Sequence, residues 1–187
     1  VKDGIAALLD GWTGSAPAVE PDAQPERGAA HLEDDSAQVQ IIAMFEVPKE
    51  TDQDASIREK IAGSVLSGGM SGRLFTEVRE KRGLCYAVSA GYRGDDRFGV
   101  LSSYVGTTPE RAQESLDVLI AELRRIRSAE GAVTESEFAR AVIGMKSTVV
   151  FHGESTGARS GALVADVIKL GRARPLEEIT EAIDAVS

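Results

Sequence analysis

The chain has 187 residues, 42% of them apolar, which suits one domain with an ordinary buried core. Its 30 acidic and 21 basic side chains give a net charge of −9. Nothing in this composition favours nucleic acid or an anionic membrane, since both need a basic face. No segment has enough consecutive apolar residues to span a bilayer, and no signal peptide opens the sequence. The single cysteine permits a reducing compartment, and we favour the cytoplasm while leaving the periplasm open.

The first 26 residues predict the end of a helix followed by a linker. Four apolar residues share one helical face: Ile5, Leu8, Leu9 and Trp12. Three prolines then favour an extended, solvated path between Gly14 and Glu26. We therefore expect residues 1–26 to be the end of an interdomain helix and a proline-rich linker, and residues 27–187 to form the domain. Because Val1 already lies in a helical pattern, we expect a piece of a longer protein.

A strong strand is predicted over residues 37–47, and a weaker one over residues 28–33. In the strong strand, apolar side chains alternate with a mixed set on the other face, which is typical of a sheet packed on one side. The mixed face carries Gln38, Gln40 and Glu46. It is too polar for a second core, so we expect it to face solvent or a cavity.

Two helices separated by a glycine turn are predicted next, over residues 55–66 and 73–82. Gly68 and Gly69 are suited to ending the first helix, and Ser71 is suited to capping the second. Beyond them, strands are predicted over residues 85–93 and 98–105 with a hairpin signal between them.

The remainder of the chain predicts helices only. Their start signals are Thr108 before Pro109, a capping box of Thr134 with Glu137, Ser155 or Thr156, and Pro175. Strands first and helices later favour an α+β fold, in which an antiparallel or mixed sheet carries helices on one face.

The residues offer no self-contained metal site. There are two histidines, His31 and His152, and one cysteine, Cys85, and neither H-E-x-x-H nor H-x-x-E-H occurs. His31 is interpreted as part of a solvated turn, His152 as an inter-helix loop residue and Cys85 as a small buried thiol. The glycine turn before residue 73 matches no phosphate-binding signature.

The pair Arg79 and Tyr86 is the most informative candidate site. Arg79 falls near the end of a predicted helix and Tyr86 at the start of the next strand. A guanidinium and a phenol held on such a corner could grip an extended peptide or a developing oxyanion. From chemistry alone, we favour the simpler interpretation of a surface arginine on a helix and a half-buried tyrosine on a strand.

The stretch Ser67–Tyr86, SGGMSGRLFTEVREKRGLCY, resembles the signature of a known family. It is similar to the C-terminal homologous domain of pitrilysin/insulinase-type metallopeptidases, which include the mitochondrial processing peptidase and its bacterial relatives. Residues 104–110, 154–159 and 170–178 extend the likeness, which covers roughly residues 27 to 187.

The resemblance implies a half-domain of a zinc endopeptidase. Such inverzincins pair an N-terminal domain that bears H-x-x-E-H with a similar domain that lacks it, and the halves close around extended peptides. By this likeness, Tyr86 would donate its hydroxyl to the carbonyl oxygen under attack, and Arg79 would hold substrate backbone carbonyls. Gly68, Gly69 and Ser71 would shape the chamber wall and contact the substrate.

Two departures from the family pattern define the expected partners. H-x-x-E-H is absent here, so the chain alone is expected to be inert, with zinc held by a separate N-terminal half. That half would be a paired subunit or a fused domain, giving a homodimer, a heterodimer or one chain. The family's final helix and closing strand are also missing after Ser187.

Two further interpretations stay open. The chain could be a non-catalytic structural or binding subunit of the same fold, or a globular domain whose similarity reflects fold alone. The upstream reading frame distinguishes the first of these from a peptidase half, because only the peptidase needs H-x-x-E-H there or in a paired subunit.

Overall fold

The computed structural model describes residues 2–15, 28–32 and 35–186, and the chain separates into two compact units, Val1–Asp35 and Ser36–Ser187. The first unit holds helix α1, Lys2–Leu8. Its apolar side chains at Ile5 and Leu8 are exposed. The predicted helix is present, but it ends at Leu8, before Trp12, the last residue of the apolar pattern.

The predicted strand over residues 28–33 is wrong where it can be checked. Residues 28–32 are irregular and exposed, because a short run with weak alternation offers no face to bury. Most of the predicted proline-rich linker, and the predicted domain boundary between residues 26 and 27, lie outside the described residues.

The second unit is built on a three-stranded antiparallel sheet of order β1-β3-β2, formed by β1, Val39–Glu46, β2, Ala87–Gly94, and β3, Gly99–Thr107. In the register, Ile41 and Val88 lie on either side of Val105, so the core residues of all three strands share one face. This sheet, together with the helices, confirms the predicted α+β fold.

The helical part follows the predicted order. Its elements are α2, Gln53–Ser67; a π-helix, Phe75–Glu80; a 3-10 turn, Pro109–Arg111; α3, Ala112–Arg125; α4, Glu135–Glu154; α5, Thr156–Leu170; and α6, Leu176–Asp184. The predicted capping box is confirmed, since Thr134 and Glu137 exchange their side-chain and backbone bonds. Ser155 caps α5 by accepting from the Ala158 amide at 3.3 Å. No side chain caps the 3-10 turn among the described residues, so Thr108 supplies only an extended entry.

Two apolar clusters fix the layers. Leu66, Val105 and Leu119 belong to the first cluster, in which α2, the π-helix and α3 pack on one face of the sheet. Ile61, Ala141 and Ile183 belong to the second, in which α4 and α6 pack on the far side of α2. The fully buried Leu66 and Leu119 show that the helical side of the sheet holds the core.

The other sheet face, which we call the open face, carries Gln40, Ile42 and Met44 from β1. Ile42 is 62% exposed and Met44 64% exposed. The expectation that this mixed face points away from the core is confirmed. Any site on it is reached without moving a helix.

Close backbone contact joins α2 to the sheet at Gly63. A Cβ at this position would lie 3.4 Å from the Gly91 Cα of β2. This distance is at the lower limit of ordinary van der Waals contact, so α2 lies close against β2 at this point. No helix in the described part of the chain has both the length and the apolar character needed to cross a bilayer.

Candidate functional site

Tyr86 lies on the open face, one residue before β2. Its backbone N–H donates to the Gly106 carbonyl at 3.1 Å, which pins the residue to the central strand. Its ring covers Gly106, and the residue remains 46% exposed. The phenol is therefore held in place yet accessible to a molecule that approaches the sheet.

Four side chains form a polar cluster on this face: Gln38, Gln40, Tyr86 and Tyr104. Gln40 donates Nε2–H to Tyr86 Oη at 2.8 Å, and Tyr86 donates to Gln38 Oε1 at 3.1 Å. Tyr104 donates its hydroxyl to Gln40 Oε1. The Gln40 amide thus links the two phenols. We call these residues the Tyr86 cluster.

The second phenol of the cluster, Tyr104, feels the hydroxyl of the first. The neighbouring Tyr86 hydroxyl raises the pKa of Tyr104 above the ordinary value of a phenol. Tyr104 therefore stays protonated near neutral pH and can serve as a hydrogen-bond donor there. The cluster offers donors and acceptors suited to the amide groups of a peptide.

Arg79 lies in the last turn of the π-helix. The wider winding is marked by the Lys81 amide, which donates to the Thr76 carbonyl five residues back at 2.9 Å. The Arg79 guanidinium lies 5.0 Å from the centre of the Phe75 ring, in a cation–π contact. Arg79 is exposed, and within the described residues its side chain makes no hydrogen bond or ion pair.

The glycine turn lies against the start of α4. Gly68 and Ser71 line a cavity of about 30 Å³ whose other wall belongs to α4, whereas Gly69 is exposed. Helical winding begins at Arg73, and within the described part of the chain the Ser71 side chain accepts no hydrogen bond from a backbone amide, so the predicted Ser71 cap is not formed. No described hydrogen bond connects this turn with Tyr86.

The turn is held instead by a buried arginine that sequence reasoning missed. Arg73 is 8% exposed and donates to Glu137 Oε1 and Oε2, each at 2.7 Å. It also donates to the carbonyls of Gly131 and Ala132 at 2.7 and 3.1 Å. The hydrogen bond from Arg73 lowers the pKa of Glu137 to about 2. This pair anchors the turn to the start of α4.

The remaining candidate residues show no sign of catalysis. Burial raises the pKa of the Cys85 thiol, and the charge of Arg79 opposes part of the rise, so the thiol is protonated at neutral pH. His31 is exposed in an irregular stretch. His152 lies inside α4 near its end, so the predicted loop position is wrong.

Zinc does not fit the described part of this chain. Among residues 2–15, 28–32 and 35–186, no group of three or more His, Cys, Asp or Glu side chains could hold a metal ion.

The sequence did contain a signal for part of the Tyr86 cluster. Period-two alternation already placed Gln38 and Gln40 on the outward face of β1. Tyr104 and Gly106 have the same parity on β3, but only the register Gln40 opposite Gly106 reveals that they meet Tyr86. Arg73 had no signal, because its partner Glu137 is 64 residues away.

Comparison with known proteins identifies the family. The sequence profile of the peptidase M16 inactive domain matches residues 3–145, about three quarters of the chain. The chain therefore belongs to the peptidase M16 inactive domain family. This confirms the resemblance seen in residues 67–86.

Relatives and solved structures agree with that assignment. An uncharacterized zinc protease of Streptomyces coelicolor is 32% identical over 127 residues, which cover 68% of this chain and 27% of the relative. The peptidase M16 inactive domain from Pseudomonas fluorescens is 24% identical, with a TM-score of 0.67 over 98% of this chain and 43% of that one. A chain of complex III2 from Candida albicans is 16% identical, with a TM-score of 0.75 over 99% of this chain and 46% of that one. The two structures show the shared fold alone.

Proposed function

We propose that this chain is the substrate-gripping, non-zinc half of a zinc-dependent endopeptidase. The observation that carries the proposal is the Tyr86 hydroxyl, which is held on the open face and remains accessible. Family membership and relatives named zinc proteases support it. Zinc and its ligands belong to a separate half that bears H-x-x-E-H, either fused or paired with this one.

The proposed role of Tyr86 is to donate a hydrogen bond to the carbonyl oxygen at the bond being cut. Negative charge develops on that oxygen as the carbonyl carbon becomes tetrahedral, and a donor already in place stabilises it. The hydroxyl needs only to exchange its contact with Gln38 at 3.1 Å for one with the substrate.

The proposed role of Arg79 is to bind backbone carbonyls of the peptide beside that bond. Its guanidinium keeps its five N–H donors free of the fold and is fixed at one face by Phe75. A charged donor on a rigid helix reduces the entropy lost when an extended peptide is ordered. Gly68, Gly69 and Ser71 are proposed to contact substrate only as part of a surrounding wall.

The test combines this chain with the H-x-x-E-H half and follows cleavage of a quenched fluorescent peptide. Tyr86→Phe removes one donor and should lower kcat roughly a hundredfold or more. Arg79→Ala should mainly raise KM, because it removes binding shared by substrate and transition state. Unchanged kcat and KM in both variants would contradict the roles proposed for Tyr86 and Arg79.

Two matched controls separate these effects from general damage. Tyr92→Phe changes the phenol on the helical side of the sheet, whose hydroxyl donates to the Pro48 carbonyl. Arg82→Ala removes an exposed arginine paired with Glu77. Both controls should cleave as the parent does, and the chain alone should cleave nothing.

The alternative is a non-catalytic structural or binding subunit of the same fold. The likeness to a complex III2 chain shows that this fold occurs in such an assembly, but at 16% identity it carries no function across. The parent reading frame decides between the two. An H-x-x-E-H there, or in a paired subunit, supports the peptidase half, and its absence from both supports the subunit.

A further inference from the structure

The two phenols of the Tyr86 cluster share one amide group, that of Gln40. Its nitrogen lies 2.8 Å from Tyr86 Oη, and its oxygen accepts the hydroxyl of Tyr104. A primary amide has one donor end and one acceptor end. Because Tyr104 occupies the acceptor end, the donor end faces Tyr86.

This arrangement determines which way the Tyr86 proton points. The Tyr86 oxygen accepts from Gln40, so its own hydrogen is directed away from that amide. It reaches Gln38 Oε1 at 3.1 Å, a longer contact than the 2.8 Å bond from Gln40. Gln38 is exposed and precedes β1, so a carbonyl oxygen can take its place.

Gly106 supplies the surface on which the Tyr86 ring lies. A Cβ at this position of β3 would lie 2.5 Å from Tyr86 Cζ, 2.6 Å from Tyr86 Oη and 2.7 Å from Tyr104 Oη. All three distances are far inside van der Waals contact. A side chain here would displace both phenols from Gln40, and the exposed ring of Tyr86 has room to move.

We propose that Gln40 and Gly106 are positioning residues that present the Tyr86 hydroxyl as a hydrogen-bond donor to a peptide carbonyl oxygen. The inference rests on the proposed function and extends it to residues that act through Tyr86. Gln40 acts through the direction of the Tyr86 proton, and Gly106 acts through the position of the ring. Tyr104 sets the orientation of the Gln40 amide.

A spectroscopic test uses the chain alone. The sequence has three tyrosines, so 13Cζ-labelled tyrosine gives three signals that single Tyr→Phe variants assign. Gln40→Leu should shift the signals of Tyr86 and Tyr104 and leave Tyr92 in place. The matched control Gln113→Leu, which loses only a bond to Asp117 on α3, should shift none. Unchanged Tyr86 and Tyr104 signals in Gln40→Leu would overturn the inference.

A kinetic test uses the complex with the H-x-x-E-H half. Gln40→Glu replaces the amide donor with an acceptor, which captures the Tyr86 proton. We expect kcat to fall at least about tenfold, the value of one hydrogen bond, with KM unchanged. Adding Tyr86→Phe to Gln40→Glu should bring the loss only to that of Tyr86→Phe. Two losses that multiply would contradict a role exerted through Tyr86.

A third variant tests the ring position. Gly106→Ala should shift the Tyr86 signal and lower kcat, while the free energy of unfolding stays close to that of the parent. Gly91→Ala is the matched control, because Gly91 lies on the same face with open space at its Cβ. An unshifted Tyr86 signal in Gly106→Ala would overturn the assignment of Gly106.

The outcomes distinguish this inference from the proposed function. Unchanged turnover in Tyr86→Phe overturns the proposed function, whatever the spectra show. A large loss of kcat in Tyr86→Phe, together with a Tyr86 signal that does not shift in Gln40→Leu, overturns the positioning role and leaves the proposed function in place.

Discussion

Arg73 and Glu137 form a bidentate ion pair that fixes the glycine turn to the start of α4. Nε and one terminal nitrogen of Arg73 each lie 2.7 Å from a carboxylate oxygen of Glu137. The same carboxylate also closes the capping box by accepting from the Thr134 amide at 2.9 Å. The Glu137 carboxylate therefore joins the start of α4 to Arg73. The residue after Arg73, Leu74, belongs to the buried core.

Arg73→Ala should lower the free energy of unfolding by about 3 kcal/mol, because it leaves the Glu137 carboxylate without its charged partner in a largely buried site. Urea denaturation followed by circular dichroism measures the change. The control Arg82→Ala removes a more exposed ion pair and should cost under about 1 kcal/mol. Equal losses of unfolding free energy in Arg73→Ala and Arg82→Ala would show that burial of the Arg73 pair adds no stability.

Acid should weaken the fold through Glu137. The pKa of Glu137 is about 2 in the folded chain against an ordinary value of 4.5. A depressed pKa means that the stabilisation is complete above about pH 4.5 and is lost as pH falls toward 2. The difference corresponds to roughly 3 kcal/mol. Unfolding free energies measured at pH 6, 4 and 3 should fall less steeply in Glu137→Gln than in the parent.

Asp166 holds the connection between α5 and α6 through Arg174. Its carboxylate accepts from Arg174 Nη2 at 2.7 Å and from the Arg174 amide at 3.1 Å. Asp166→Asn keeps the shape but removes the charge of a group that is 6% exposed, and should cost about 2 kcal/mol. Glu178→Gln, which breaks an exposed pair with Arg172, is the control and should cost under about 1 kcal/mol. A thermal-shift measurement in which Glu178→Gln lowers the melting temperature more than Asp166→Asn does would contradict this expectation.

Alkali should destabilise the fold through Tyr92. Burial, followed by the nearby carboxylates, raises the pKa of Tyr92 to about 12. The folded chain therefore prefers the neutral phenol, and the stabilisation is present below about pH 10 and is lost as pH rises toward 12. Between pH 9 and pH 11, the parent should lose more unfolding free energy than Tyr92→Phe does. Equal losses of unfolding free energy in the parent and in Tyr92→Phe would show that ionisation of this phenol does not cause the destabilisation.

Local pattern predicted the elements of the Ser36–Ser187 unit well. The alternation in β1 and the hairpin between β2 and β3 required only neighbouring residues, as did the capping box at Thr134. The misses have two different origins. The strand expected over residues 28–33 had a weak pattern and no buried face. The wide winding of the π-helix was not predicted, because apolar periodicity over so short a segment does not separate it from an α-helix.

The candidate site was predicted in part. Tyr86 and Arg79 were singled out by their positions and their resemblance to a family, and the structure leaves both side chains accessible. The partners of Tyr86 were not predicted, since Gln40 is 46 residues away in the chain. The register that brings them together depends on β3, which lies between β1 and β2.

The sequence by itself determined the order of strands and helices, the outward face of β1 and the family, because each depends on residues close together in the chain. Tertiary structure alone decided that Gln40, Tyr104 and Gly106 surround Tyr86, and that Arg73 is buried against Glu137. Those contacts arise only when strands pair in one register and α4 packs on α2. They depend on the free energy of the whole fold, and a local pattern carries no record of them.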